Sequence, residues 1–219
     1  MRAAALALLI STGAAGAIAG QADAKRRLSG RVSPAVLGAV QLLVDSAAAK
    51  GLPVEPLVEK AIEGSAKGVE PARVLSAVRA VMGRLTNAAI ALRSAGVLTP
   101  DADATEAGGF ALNAGLSTEQ VRTIAAHTRA PYGLGATLRV AATLAALGVP
   151  GNDAVRLVDD AIDAGRSPGD VFDLPRKVQM GMAGGASAAQ AAGLARGAAH
   201  APTEPPRGPP ASPGRPHKP

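Results

Sequence analysis

The sequence predicts an all-α protein, a bundle or short solenoid of helical hairpins, and three observations carry that expectation. From Ser33 onward apolar residues recur at intervals of three and four, the period of a helix. Glycines stand behind each apolar run, where they close helices in the left-handed conformation that other residues avoid. No window combines strand alternation with turn chemistry. Composition agrees: 51 Ala and 26 Gly in a chain that is 47% hydrophobic and 18% charged leave enough apolar surface for a core.

The boundaries are written in cap residues. Ser33 before Pro34 opens a helix that Gly51 closes. Glu70-Pro71 and Gly96 bracket a longer one carrying Val74, Leu75, Val78, Val81, Met82 and Leu85. Thr99-Pro100 and Gly115 bracket another, and a further helix is expected from about Gly135 to Leu147. Ser117 with Gln120, and Ser187 with Gln190, read as capping boxes. Ser167-Pro168 starts a helix that Pro175 is expected to kink or end.

The glycines also have a rhythm. Gly30, Gly68, Gly115 and Gly165 each precede a valine by six residues: Val36, Val74, Val121 and Val171. A second kind of unit starts at Gly51, Gly96 and Gly148, each followed by an apolar residue. The two alternate, so the chain reads as hairpins with the spacing of two- or three-helix repeats.

The ends differ from this body. Arg2, the apolar run Ala3 to Ile10 and the small-residue stretch ending Ala22-Asp23-Ala24 are the three parts of a secretory signal peptide. Lys25-Arg26-Arg27, directly behind the expected cut, opposes translocation. Residues 201–219 hold eight Pro and no large apolar side chain, which predicts a disordered basic tail. The expected organisation is a signal peptide at 1–24, a helical domain at 25–199 and a tail at 200–219. Cleavage near Ala24 then gives a periplasmic or secreted protein. The mature chain has no stretch of eighteen apolar residues, so no transmembrane span is expected.

Composition excludes much chemistry. With no Cys there are no disulfides, thiolate metal sites or cysteine nucleophiles. One Tyr, two Phe and no Trp leave few platforms for stacking bases or flavins. Residues 25–93 carry eleven basic and five acidic side chains, yet no basic cluster beyond Lys25-Arg26-Arg27 and no recognition motif accompany the surplus. A Glu63–Lys67 pair at four residues is expected to brace its helix.

The candidate sites are sparse. Asp159, Asp160 and Asp163 share a helix, and paired carboxylates suit Ca²⁺ or Mg²⁺ binding or acid–base work. The Glu-x-x-His pattern of helical di-metal sites is absent. Asp101, Asp103 and Thr105 imitate the start of an EF-hand, but Glu106 stands where Gly is needed and Leu112 where the closing Glu belongs; the two Asp are read as complementing the helix dipole. No Gly-x-Ser-x-Gly elbow occurs, and Ser65-Ala66-Lys67 lacks the Ser-x-x-Lys spacing. Gly133 and Gly135 are followed by Leu138 where a dinucleotide fingerprint requires glycine. His127 is read as a cation at a helix C-terminus, and Phe110, Tyr132 and Phe172 as core residues.

These readings converge on an exported, non-enzymatic scaffold or interaction protein of a bacterial envelope, with no cofactor and no metal. Its expected partner is a protein or other envelope component held in apolar grooves rimmed by Arg and Glu; an anionic surface is a second candidate, and nucleic acid is not expected after export. Two alternatives remain at this point. One is a small metal-dependent hydrolase using Asp159, Asp160 and Asp163. The other is a cytosolic basic protein that coats nucleic acid.

Overall fold

A computed structural model describes residues 23–200, with side chains to residue 198. The signal segment up to residue 22 and the tail from 201 lie outside the described residues. Within them every regular element is a helix. Residues 23–28 form a short helical lead. There follow α1 (Pro34–Ala49), α2 (Glu55–Ala66), α3 (Pro71–Ser94), α4 (Ala102–Asn113) and α5 (Thr118–His127). The chain continues through α6 (Leu134–Ala146), α7 (Gly151–Asp163), α8 (Pro168–Phe172), α9 (Leu174–Ala183) and α10 (Ala188–His200). No helix among the described residues is long and apolar enough to cross a membrane.

Local chemistry sets most of these boundaries. Gly51, Gly68, Gly96, Gly115, Gly148, Gly165 and Gly185 all lie at positive φ immediately behind a helix. At Gly115 the chain turns back so that the Leu116 amide donates to the Ala111 carbonyl at 3.1 Å, the six-to-one bond of a Schellman cap. Leu116 is thereby driven into the core, 3% exposed. Six residues beyond Gly30, Gly51, Gly68, Gly115, Gly148, Gly165 and Gly185 stand the buried Val36, Leu57, Val74, Val121, Ala154, Val171 and Ala191, each the first core residue of its helix. Six beyond Gly96 is the exposed Ala102, and the first core residue of α4 is Ala104.

The helix starts follow the cap residues with two adjustments. The Ser117 hydroxyl accepts from the Gln120 amide at 3.2 Å while Gln120 Oε1 accepts from the Ser117 amide at 2.8 Å. Ser187 and Gln190 make the same reciprocal pair. Removing the Ser117 hydroxyl orphans a backbone donor, so Ser117→Ala is expected to cost about 1 kcal/mol, checked by urea unfolding. The cap of α4 is Asp101, two residues past Thr99, because its carboxylate reaches the Ala104 amide at 2.7 Å. The helix opened at Ser167-Pro168 ends ahead of Pro175, as expected, but the break falls two residues before it at Asp173; Pro175 itself is the second residue of α9, where a missing amide costs nothing.

The helices pack in two rows. Neighbours in sequence touch, and so do helices separated by one: α1 with α3, α3 with α5 and α5 with α7 in one row, continued by α7 with α10. In the other row α4 packs on α6, and α6 on α8 and α9. Gln120 of α5 donates to Asn152 of α7, 32 residues on, at 2.8 Å. His127 meets Asp159 at the same separation in sequence, so α5 and α7 run parallel in constant register.

Two apolar clusters fill the interior. One joins Ala24 and Leu28 of the lead to α1, α2 and α3 as far as Ala89. The second runs from Ala91 and Leu92 to Ala195. The 24-residue α3 contributes to both. The expectation that all three aromatics pack in the core needs correction. Tyr132 is partly buried, its hydroxyl donating to the Arg166 carbonyl. Phe110 and Phe172 are 47% and 48% exposed. Gly108 and Gly109 take the contact face of α4 and turn Phe110 outward, and Phe172 ends the single turn of α8.

Candidate functional site

The row holding α4 and α6 has an opening at its start, since α2 and α4 touch little and leave part of α3 uncovered. Pro56 and Lys60 from α2, Val81, Arg84 and Leu85 from α3, and Glu106, Gly109, Phe110 and Asn113 from α4 line the resulting cleft of about 260 Å³. Close approach of α3 and α4 forms its floor. A Cβ on Gly108 would stand 2.9 Å from Ala88 Cβ, and one on Gly109 would stand 3.0 Å from Leu85 Cδ2. Two adjacent glycines inside a helix each cost about 1 kcal/mol relative to alanine. The Asp101 cap and the tight seam with α3 offset that cost.

Charge in the cleft is unevenly matched. Lys60 donates to Glu63 at 2.9 Å, and Glu63 also receives Lys67, the pair expected from spacing. Arg84 and Glu106 make no ion pair among the described residues. Burial pushes the Glu106 carboxyl above its ordinary value, with Arg139 opposing and Asp103 adding to the rise. Arg139 itself is held by Asp103 at 2.7 Å. The cleft therefore offers an apolar floor beside a carboxyl and a guanidinium that form no ion pair among the described residues.

A second groove of about 540 Å³ lies between α6 and the α8–α9 segment, lined by Val140, Thr143, Phe172 and Pro175, with Arg139 and Arg176 at its edge. It is shallower, and both its arginines already bind carboxylates, Asp103 and Asp173.

The three aspartates of α7 point to different partners. Asp160 receives Arg196 of α10, and Asp163 receives Arg129 at 2.9 Å. Asp159 faces His127, whose Nδ1 lies 3.9 Å from one carboxylate oxygen and 3.0 Å from the Thr123 carbonyl. The other oxygen of Asp159 is buried and meets no hydrogen-bonding group among the described residues. No group of three or more His, Asp or Glu side chains among the described residues is arranged to hold a metal ion. His127 ends α5 as its sequence position implied, but its neighbour Asp159 is 32 residues away and no local spacing announces it.

Burial raises the Asp159 carboxyl to about 6; His127 opposes the rise, and Asp163 and Asp160 add to it. The folded state then holds the proton more tightly than the unfolded chain. Its stabilisation is complete below the ordinary value of 3.8 and lost as pH rises through about 6. Between those limits stability is expected to fall by on the order of 1–2 kcal/mol, less than the full shift implies because water screens the open edge. Asp159→Asn should flatten this part of the stability–pH curve in urea titrations. An unchanged slope would assign the dependence to other groups.

No protein-family model, curated protein or solved structure matches the chain.

Proposed function

We propose that the protein is an exported, non-enzymatic interaction module of a bacterial envelope, built as a short solenoid of helical hairpins, whose cleft between α2, α3 and α4 takes a segment of a partner protein. The observation that carries this reading is the composition of that cleft: Val81, Leu85 and Phe110 beside Glu106 and Arg84, both without ion-pair partners among the described residues. A cleft of about 260 Å³ is below the usual range of small-molecule sites, roughly 300–1,000 Å³, and suits a single anchoring side chain. A partly buried carboxyl that forms no ion pair among the described residues, with Arg139 nearby but held by Asp103, favours a segment that brings a cation. The occupant is therefore a peptide segment with a large apolar side chain next to Lys or Arg. The contacts between helices separated by one support the reading, because a solenoid of hairpins would present such surfaces between neighbouring units. The signal-like start at Arg2 to Ala24 supports export.

Selection of a displayed library of short random peptides against the folded protein tests the proposal. Enriched sequences should pair a large apolar residue with Arg or Lys. Their binding should weaken about tenfold or more with Glu106→Lys or Phe110→Ala, as loss of an interface anchor does. Phe172→Ala, in the second groove, should leave it unchanged. Absence of enrichment, or equal binding to all the variants, would overturn the assignment.

A further inference from the structure

The cations of the described residues divide sharply along the chain. Beyond α3 every arginine and lysine among them meets a carboxylate, apart from Arg166, which donates to the Ala198 carbonyl. On α3 none does. That helix carries Arg73, Arg79, Arg84 and Arg93 and no acid over 24 residues, and none of the four forms an ion pair among the described residues. Glu70, at its N-cap, pairs with none of them either. Arg73, Arg79 and Arg93 are exposed and Arg84 is partly buried. Between them runs an uncharged solvent-facing stripe of Ala72, Ser76, Ala80, Gly83, Asn87 and Ile90, all exposed. By the helical period, Arg73 and Arg84 border this stripe on one side, Arg79 and Arg93 on the other. At about 1.5 Å per residue the face is about 36 Å long.

Four like charges along one helix, with no counter-charge on it, set up a positive potential that draws an anionic partner. The shape of the face says which. Small side chains keep the stripe low, so a flat layer of charged groups can approach until the guanidiniums on both borders reach it. Each guanidinium can hold two oxygens of one phosphate through its fork of N–H donors. Ile90, 51% exposed, stands on the same stripe and can enter the boundary behind the headgroups. No aromatic side chain lies on α3 to stack a base. We infer that the exposed face of α3 docks the protein on an anionic phospholipid surface, with the helix axis parallel to the bilayer. The choice of lipid over nucleic acid rests on the proposed export.

Co-sedimentation of the full chain with phosphatidylcholine vesicles, and with vesicles of equal parts phosphatidylcholine and phosphatidylglycerol, tests the inference. Tighter binding to the anionic vesicles is expected. Arg73→Gln with Arg79→Gln should weaken it about thirtyfold, at about fivefold for each lost cation. Arg73→Lys with Arg79→Lys should retain it. Arg84 is left in place because it also lines the cleft. Arg156→Gln, which removes a paired cation of α7, and Arg207→Gln with Arg215→Gln in the tail should leave binding unchanged. The circular-dichroism melt of the double Gln variant should match the parent, since neither arginine has a partner to lose. Equal binding to both vesicles, parental binding by the double Gln variant, or loss through the tail variant instead would overturn the inference. So would displacement of the parent from the anionic vesicles by short duplex DNA whose own binding fails in the double Gln variant. Recovery of the chain from the cytosol alone would overturn export, while the vesicle results still decide the docking face.

Discussion

Gly108→Val is expected to destabilise the fold by about 3 kcal/mol, the upper end of what overpacking a tight core costs. A Cβ at this position alone would lie 2.9 Å from Ala88 Cβ and 3.7 Å from Val121 Cγ1. The obstruction from Ala88 is a methyl fixed to the backbone of α3, so no rotamer change relieves it. Two further methyl groups must push α3 and α4 apart along the seam that floors the cleft. Gly83, inside α3 with nothing within 4 Å of its added Cβ, is the control. There alanine should stabilise by about 0.5–1 kcal/mol, through helix propensity alone. Urea unfolding followed by circular dichroism reads both. A Gly108→Val protein as stable as its parent would show that the two helices are not held this close.

Leu138→Ala should cost about 3–5 kcal/mol, the upper part of the range for a buried leucine. Leu138 is fully buried on α6, the helix that packs on α4, α7, α8 and α9 at once. What sets the size is the chance of collapse into the space left. Here the interior is rich in Ala107, Ala111, Ala141, Ala142, Ala154 and Ala161, all at most 1% exposed. Alanine has no longer rotamer to swing into a void, and helices already in close contact cannot move nearer. The cavity therefore stays open. A loss below about 1 kcal/mol would mean that the rows repack freely and that α6 is not the hub described.

What the sequence made legible is what short-range chemistry decides. Helix ends are local events, and the Schellman glycines, the Ser117–Gln120 box and the Glu63–Lys67 pair involve residues three to six apart. All of these could be read before the fold was known. The rows could not, because the 32-residue register of Gln120 on Asn152 and His127 on Asp159 depends on how helices stack. The aspartates of α7 show the limit clearly. Their spacing places Asp159 and Asp163 four apart, but Arg196 and Arg129 arrive from other helices and draw Asp160 and Asp163 into separate pairs. The exposure of Phe110 is hidden from the sequence for a related reason. Core aromatics are the common case, and only the seam at Gly108 and Gly109 shows that this side chain is turned outward. The cleft itself arises because α2 and α4 touch little, and nothing in either helix encodes it alone.

The central claim is that this cleft holds a partner's segment where the protein works. Photo-crosslinking from position 110 in living cells tests it most directly, with the photoreactive residue placed at Phe110 and, for comparison, at Phe172. The account predicts a discrete adduct in the exported fraction from position 110 alone, abolished by Glu106→Lys in the same chain. An adduct that survives Glu106→Lys, equal labelling from both positions, or no adduct from position 110 would contradict it.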